Sequence, residues 1–252
     1  MLKSHIYRIS KNNISRLFFI IILLIPTLEI FQLSKEFNTD FNSNYLTFLS
    51  GASRGHLYQI ILLWFLPIYT LLLIADDSIQ DYKTGYKNIL ISKIGIKKYY
   101  KGKMFNSFII CFLTMFISLL LNLILINIFF GSESNNLNSI NDLPNNILYS
   151  LSISYPFWAN IFFILLASCL CGLTGVCGAS LSLFLQDKKY VYAISFFIWF
   201  LLVLKQKSLM FLFQPFAEYD FNVLLPILIV VIAVYTLLPL SLYIYEVYFY
   251  EL

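Results

Sequence analysis

Apolar residues do not alternate with polar ones along this chain; they gather into runs long enough to form helices covered on all sides by something other than water. Six runs stand out: Leu17 to Leu33, Tyr58 to Ala75, Met104 to Phe130, Phe157 to Leu185, Tyr190 to Leu204 and Val223 to Tyr245. A hydrocarbon layer about 30 Å thick takes roughly 20 apolar residues of α-helix to cross. The expected fold is therefore an all-α integral membrane protein with six transmembrane helices, one domain over residues 1–252. The fourth run is long for one upright span and implies tilt or an extension past the membrane; the fifth is short. Pro26, Pro67, Pro226 and Pro239 lie inside runs one, two and six, where each removes a backbone donor and permits a kink.

The connections differ in character. Ser34 to Leu57 and Gly131 to Pro156 are rich in Asn, Ser and Asp and read as solvated loops. Between runs five and six, Lys205-Gln206-Lys207 precedes the apolar stretch Ser208 to Phe213, then Gln214-Pro215, Glu218 and Asp220. That stretch is too short to cross. It fits either a re-entrant hairpin at the outer face or an ordinary loop with a few buried aromatics.

Lys and Arg favour the cytoplasmic side of a membrane protein. With the N-terminus inside, the inner segments hold four (Lys3, Arg8, Lys11, Arg16), seven (Lys83, Lys87, Lys93, Lys97, Lys98, Lys101, Lys103) and two (Lys188, Lys189) of the 17 basic residues. Only Lys35, Arg54, Lys205 and Lys207 fall outside. Both termini are expected in the cytoplasm of a bacterium, with the chain in its cell membrane.

Composition agrees: 60% hydrophobic, 18% aromatic and 12% charged residues, with a mean hydropathy of +0.79, against about 45–50% apolar content in soluble chains. The basic residues before the first run resemble a secretory leader, yet Ser34-Lys35-Glu36-Phe37 follows it instead of a small-residue cleavage site, so it reads as a retained span. Cys111, Cys169, Cys171 and Cys177 all sit in apolar runs, as packing residues and not as a disulfide framework. No Cys or His spacing suggests a metal.

Ionisable groups inside a membrane are costly and usually functional, and here they are scarce. Glu29 lies near the outer end of run one, as a carboxylate reaching the interface or a substrate contact; Asp76 and Asp77 end run two; Glu246 lies past run six. His5 and His56 both fall outside the runs, so no intramembrane His–carboxylate pair is expected, which counts against a membrane protease and a proton-coupled carrier. No catalytic residue is assigned. Gly172, Gly175 and Gly178 recur every three residues in run four and predict close helix packing within the chain.

The stretch from Asp76 to Lys103 carries seven lysines among Ile89, Leu90, Ile91, Ile94, Ile96, Tyr99 and Tyr100. The pattern suits short amphipathic helices along the inner membrane surface, held there by anionic lipid or docked on a cytoplasmic partner.

This stretch resembles the permease subunits of the second type of ABC exporter, in which an acidic stretch after span two leads to a Gly, then a Leu, a turn and a Lys opening span three. Asp77, Asp81, Gly85, Leu90, Lys93, Gly95 and Lys103 stand in that region. Lys83-Thr84-Gly85-Tyr86 replaces the family's usual Glu-Gly-Thr neighbourhood, and Gly95 stands where a Pro is common. The amphipathic segment Leu2 to Ser15, six spans and inward-facing termini agree in outline. The resemblance implies that two permeases, identical or related, pair with two cytoplasmic ATPases, and that the loop between Gln80 and Ile96 seats in each ATPase as a coupling helix. ATP and Mg would bind the partner, since no Gly-x-x-x-x-Gly-Lys-Ser/Thr phosphate loop occurs in this chain. The cargo implied is hydrophobic or amphipathic, a small peptide such as a bacteriocin or toxin, with Glu29, Trp64, Phe65, Phe196 and Trp199 as candidate path residues. A multidrug or lipid exporter is the alternative within the class. Beside it stand a secondary carrier, for which no inverted repeat, broken helix or midplane charge stands out, and a channel, which would need rings of polar pore residues in an oligomer. Nothing in the sequence marks a nucleic-acid surface.

Overall fold

The computed structural model describes residues 7–8, 10–36, 49, 56–130, 146–215 and 219–249, with backbone alone at 34–36, 75–77 and 130. Among them there is no strand. The elements are α1 (Asn13–Glu36), α2 (Leu57–Trp64), α3 (Leu66–Lys83), α4 (Tyr86–Ile94), α5 (Ile96–Phe130), α6 (Ile147–Ser154), α7 (Pro156–Phe184), α8 (Lys188–Leu204), a 3-10 turn (Leu209–Phe213) and α9 (Phe221–Tyr248).

Four helices are long and apolar enough to cross a membrane: 13–33, 96–129, 156–184 and 221–248. A fifth candidate is the pair α2 and α3, which meet at 61° around Phe65. The second apolar run is thus a broken element, not one straight helix. At 17 residues, α8 is the shortest of the unbroken helices that correspond to the six runs. The 35-residue α5 is about 52 Å long at 1.5 Å per residue, so its lysine-bearing first turns extend beyond any hydrocarbon layer.

The centre is α7. Buried residues make up 61% of its apolar window, against 28% in α1 and in α9, which flank the bundle. Its small residues explain the position. A Cβ at Gly172 would lie 2.7 Å from the Phe108 ring, one at Gly175 2.6 Å from Cys111 Sγ, and one at Gly178 2.7 Å from Leu71. A step of three residues turns a helix back by about 60°, so the stripe rotates from α5 to α3 along its length. One glycine series therefore admits two neighbours.

Two prolines break the backbone ladder, and two side chains from other helices repair it. Pro67 has no N–H for the carbonyl of Leu63 four residues earlier; the Trp199 indole N–H of α8 donates to that carbonyl at 2.9 Å. Pro26 leaves Ile22 in the same position, and the Ser118 hydroxyl of α5 donates to it at 2.6 Å. Trp199 is fully buried, against Phe213 and Tyr235.

The apolar stretch after Lys207 forms a 3-10 turn, with Leu209, Met210, Leu212 and Phe213 buried; residues 216–218 lie outside those described. The connection Gly131 to Pro156 is not wholly a loop. Asn146 caps α6 by accepting from the Leu148 N–H at 3.0 Å, and the Ser152 hydroxyl reaches the Pro215 carbonyl at 3.3 Å.

Trp199→Phe loses the indole donor together with its five-membered ring, leaving the Leu63 carbonyl unpaired beside a small void; a loss of at least about 1–3 kcal/mol in denaturant unfolding in detergent is expected. Gly175→Ala should cost about 1–3 kcal/mol through overpacking. Cys111→Ala in the same chain should restore part of that, since Sγ is the nearest atom but Cβ, at 3.1 Å, remains.

Candidate functional site

The lysine-rich stretch between α3 and α5 is an elbow set by two glycines. Gly85 (φ 70°) and Gly95 (φ 79°) bracket α4 in the left-handed region, where a Cβ costs roughly 1–2 kcal/mol. Leu90, Ile91 and Ile94 of α4 pack on a small cluster of Tyr99, Tyr100 and Leu183. Tyr86, Ile89 and Lys93, at spacing i, i+3, i+7, are exposed. The apolar inner face holds the helix down; the outer stripe is presented.

Two buried carboxylates fasten the elbow. Asp81, 1% exposed on the last turns of α3, pairs with Arg8 at 2.7 Å and with the buried Lys103 of α5 at 3.1 Å. Asp81 is thus an internal clamp between the N-terminal segment, α3 and α5, not a surface group. Asp77 lies one turn earlier on α3, its side chain outside the described residues. The second carboxylate is Glu246, near the end of α9. It accepts from the Tyr100 hydroxyl at 2.5 Å and lies 4.0 Å from the Lys87 ammonium, which also donates to the Leu183 carbonyl at 3.5 Å. Burial pushes Lys87 below the ordinary lysine pKa, and Glu246 pulls it partly back. One lysine of α4 thereby touches the ends of α7 and α9.

Sequence reasoning missed Arg8, Lys87 and Tyr100, and took Glu246 only as a residue past a span. The available signals were that Asp81 lies in the lysine-rich stretch after run two and that Glu246 directly follows run six. Which lysine pairs with which carboxylate depends on the fold.

The expectation that no His–carboxylate pair forms is corrected. His56 is the N-cap of α2, 4% exposed, and its Nδ1 pairs with Glu29, 1% exposed on α1. The other Glu29 oxygen accepts from the Gln59 N–H at 3.0 Å, capping α2 from a neighbouring helix. Glu29 is therefore enclosed, not reaching an interface. His56 was placed in a solvated loop because polar residues surround it in sequence; the chain instead folds it inward at a helix start.

The aromatic candidates divide. Phe65 stacks on Phe196 at 5.7 Å and 7°, and Trp64 meets Phe200 edge-on at 6.3 Å. These rings form a partly exposed cluster beside the break between α2 and α3. Trp199 lies in the core, occupied with Leu63. Among the described residues no His, Cys, Asp and Glu cluster suits a metal.

Asp81→Asn strands buried Lys103 beside a neutral amide. The expected loss is about 3–5 kcal/mol in detergent unfolding; Asp81→Asn with Lys103→Met should be closer to wild type than Asp81→Asn alone, a non-additivity that identifies the clamp.

No family model matches the chain, and no solved structure matches it. It is 53% identical over 247 residues to "Uncharacterized protein YybM" of Bacillus subtilis (strain 168), covering 97% of this chain and 98% of that one. At that identity over nearly the full length of both, the chain belongs to the same family as YybM.

Proposed function

We propose that the chain is the membrane-spanning subunit of an ATP-driven exporter, six-span and in the bacterial cell membrane, with both termini in the cytoplasm. The observation that carries this reading is the elbow. A nine-residue helix held between two left-handed glycines offers an exposed Tyr86, Ile89 and Lys93 stripe, while Lys87 ties it to Glu246 of α9 and the Leu183 carbonyl of α7 and its apolar side sits on the tyrosine cluster of α5; Asp81 clamps the flanking α3 to α5. A partner's push on such a helix reaches several spans together. ATP and Mg belong to that partner, and a second permease copy or relative would complete the path. A small hydrophobic or amphipathic peptide remains the leading cargo, with multidrug or lipid export as the alternative.

The Glu29–His56 pair favours a second reading, a proton-coupled carrier, since buried ionisable groups in spans often relay protons. Both oxygens of Glu29 are already engaged in tying α1 to α2, which supports a structural role and ranks this reading lower.

The tagged chain, solubilised from its host and identified with its companions by mass spectrometry, should bring down a phosphate-loop ATPase. Ile89→Asp should reduce recovery about tenfold, equivalent to about 1.4 kcal/mol, without altering the gel-filtration profile. Absence of any ATPase, or undiminished recovery with Ile89→Asp, would overturn the exporter reading. Proton uptake by the purified chain alone in liposomes, lost in Glu29→Gln, would establish the carrier instead.

A further inference from the structure

A groove of about 550 Å³ opens between α1, α3 and α5, walled by Phe19, Ile20, Leu73, Leu113 and Ile117, with Arg16 on its rim. Four of the five wall residues are among the exposed large hydrophobics. The deep wall offers little to a polar ligand, because the Thr114 hydroxyl is already donated to the Ile110 carbonyl at 2.7 Å. Polarity is confined to the rim. There the Arg16 guanidinium bonds Asn13 Oδ1, and no carboxylate lies within ion-pair distance of it among the described residues.

A second cavity of about 590 Å³ follows along the same segment, lined by Arg8, Lys11, Asn12, Asn13 and Gln80. Arg8 is committed to Asp81. Lys11, like Arg16, is exposed and has no carboxylate partner among the described residues; it rests over the Tyr7 ring at 5.7 Å. One such cation, Arg16, therefore stands at the rim of a hydrocarbon-walled groove, and a second, Lys11, lines the adjoining cavity five residues earlier in the chain, at the basic end of the bundle. A ligand that satisfies both parts has a negative headgroup and a long apolar tail.

We infer that this groove binds an anionic phospholipid, its phosphate held by Arg16 and Lys11 and one acyl chain laid along Phe19, Ile20, Leu113 and Ile117. A zwitterionic lipid fits less well, because its ammonium would be brought against Lys11 and Arg16. The site spans the α1–α5 contact, so an occupied groove holds the N-terminal segment, and through Arg8 the Asp81 clamp, against the bundle. This inference does not depend on which transport reading is correct.

The test uses the full chain in mild detergent with phosphatidylglycerol or phosphatidylcholine added, followed by native mass spectrometry. One phosphatidylglycerol per chain should survive activation that strips phosphatidylcholine, with a preference of about fivefold for each cation engaged. Arg16→Gln with Lys11→Gln should bring the preference close to unity, and Arg16→Lys should keep most of it. Ile117→Trp, which fills the groove without touching the cations, should also remove the retained lipid. Equal retention of the two lipids by the wild type overturns the inference and needs no variant to read. So does an unchanged preference in the double glutamine variant. Loss of self-association in Ile117→Trp with lipid retention intact would assign the groove to a second copy of the chain instead.

Discussion

Peptide groups removed from water must find partners inside the protein, and that constraint organises this bundle. Pro26 and Pro67 each withhold a donor from a carbonyl in the interior. In both cases the repair comes from a different helix: Ser118 of α5 for Ile22, Trp199 of α8 for Leu63. A local defect in one helix thereby becomes a specific bond to another, which fixes the rotation and depth of both. The bend at Phe65 is held in the same way. The carbonyl freed there is that of Leu63, and its bond from Trp199 ties the bend to α8.

Charge plays the corresponding part at the basic end. A carboxylate buried without a partner is far more costly than one left in water, whereas a paired one is tolerated and strongly prefers a single geometry. Asp81 and Glu246 meet this condition with different partners, and the elbow helix lies between them. Gly85 and Gly95 let the chain enter and leave α4 sharply, and the Tyr99, Tyr100 and Leu183 cluster gives it an apolar seat. The result is a short helix with little freedom of its own. Lys87 and the apolar seat join α4 to the ends of α5, α7 and α9.

The long helices were legible because length and apolar content are local properties: runs one, three, four and six correspond to α1, α5, α7 and α9 within a few residues, apart from the early start of α5. Gly172, Gly175 and Gly178 were legible as a stripe of small residues, though not which helices they face. What escaped depended on partners distant in sequence. Trp199 looked like a path residue because nothing nearby in the chain reveals that Leu63, 136 positions away, needs its indole. Tyr100 and Glu246 are 146 positions apart. Helix α6 escaped for a different reason. Its eight residues sit within a polar connection, and so short a helix depends on Asn146 and on packing more than on its own propensity.

The ionisable ties join the helices in a particular order. At one end Glu29 of α1 holds the start of α2 through His56 and Gln59; at the other, Asp81 of α3 holds Lys103 of α5. Between those ties lies the break at Phe65, where α2 and α3 meet. A change in the bend angle cannot then be confined to α2 and α3. It must carry α1 with the first and α5 with the second, and α5 is packed along the glycine stripe of α7. The broken element is therefore tied to α1 at one end, through Glu29, and to α5 at the other, through Asp81.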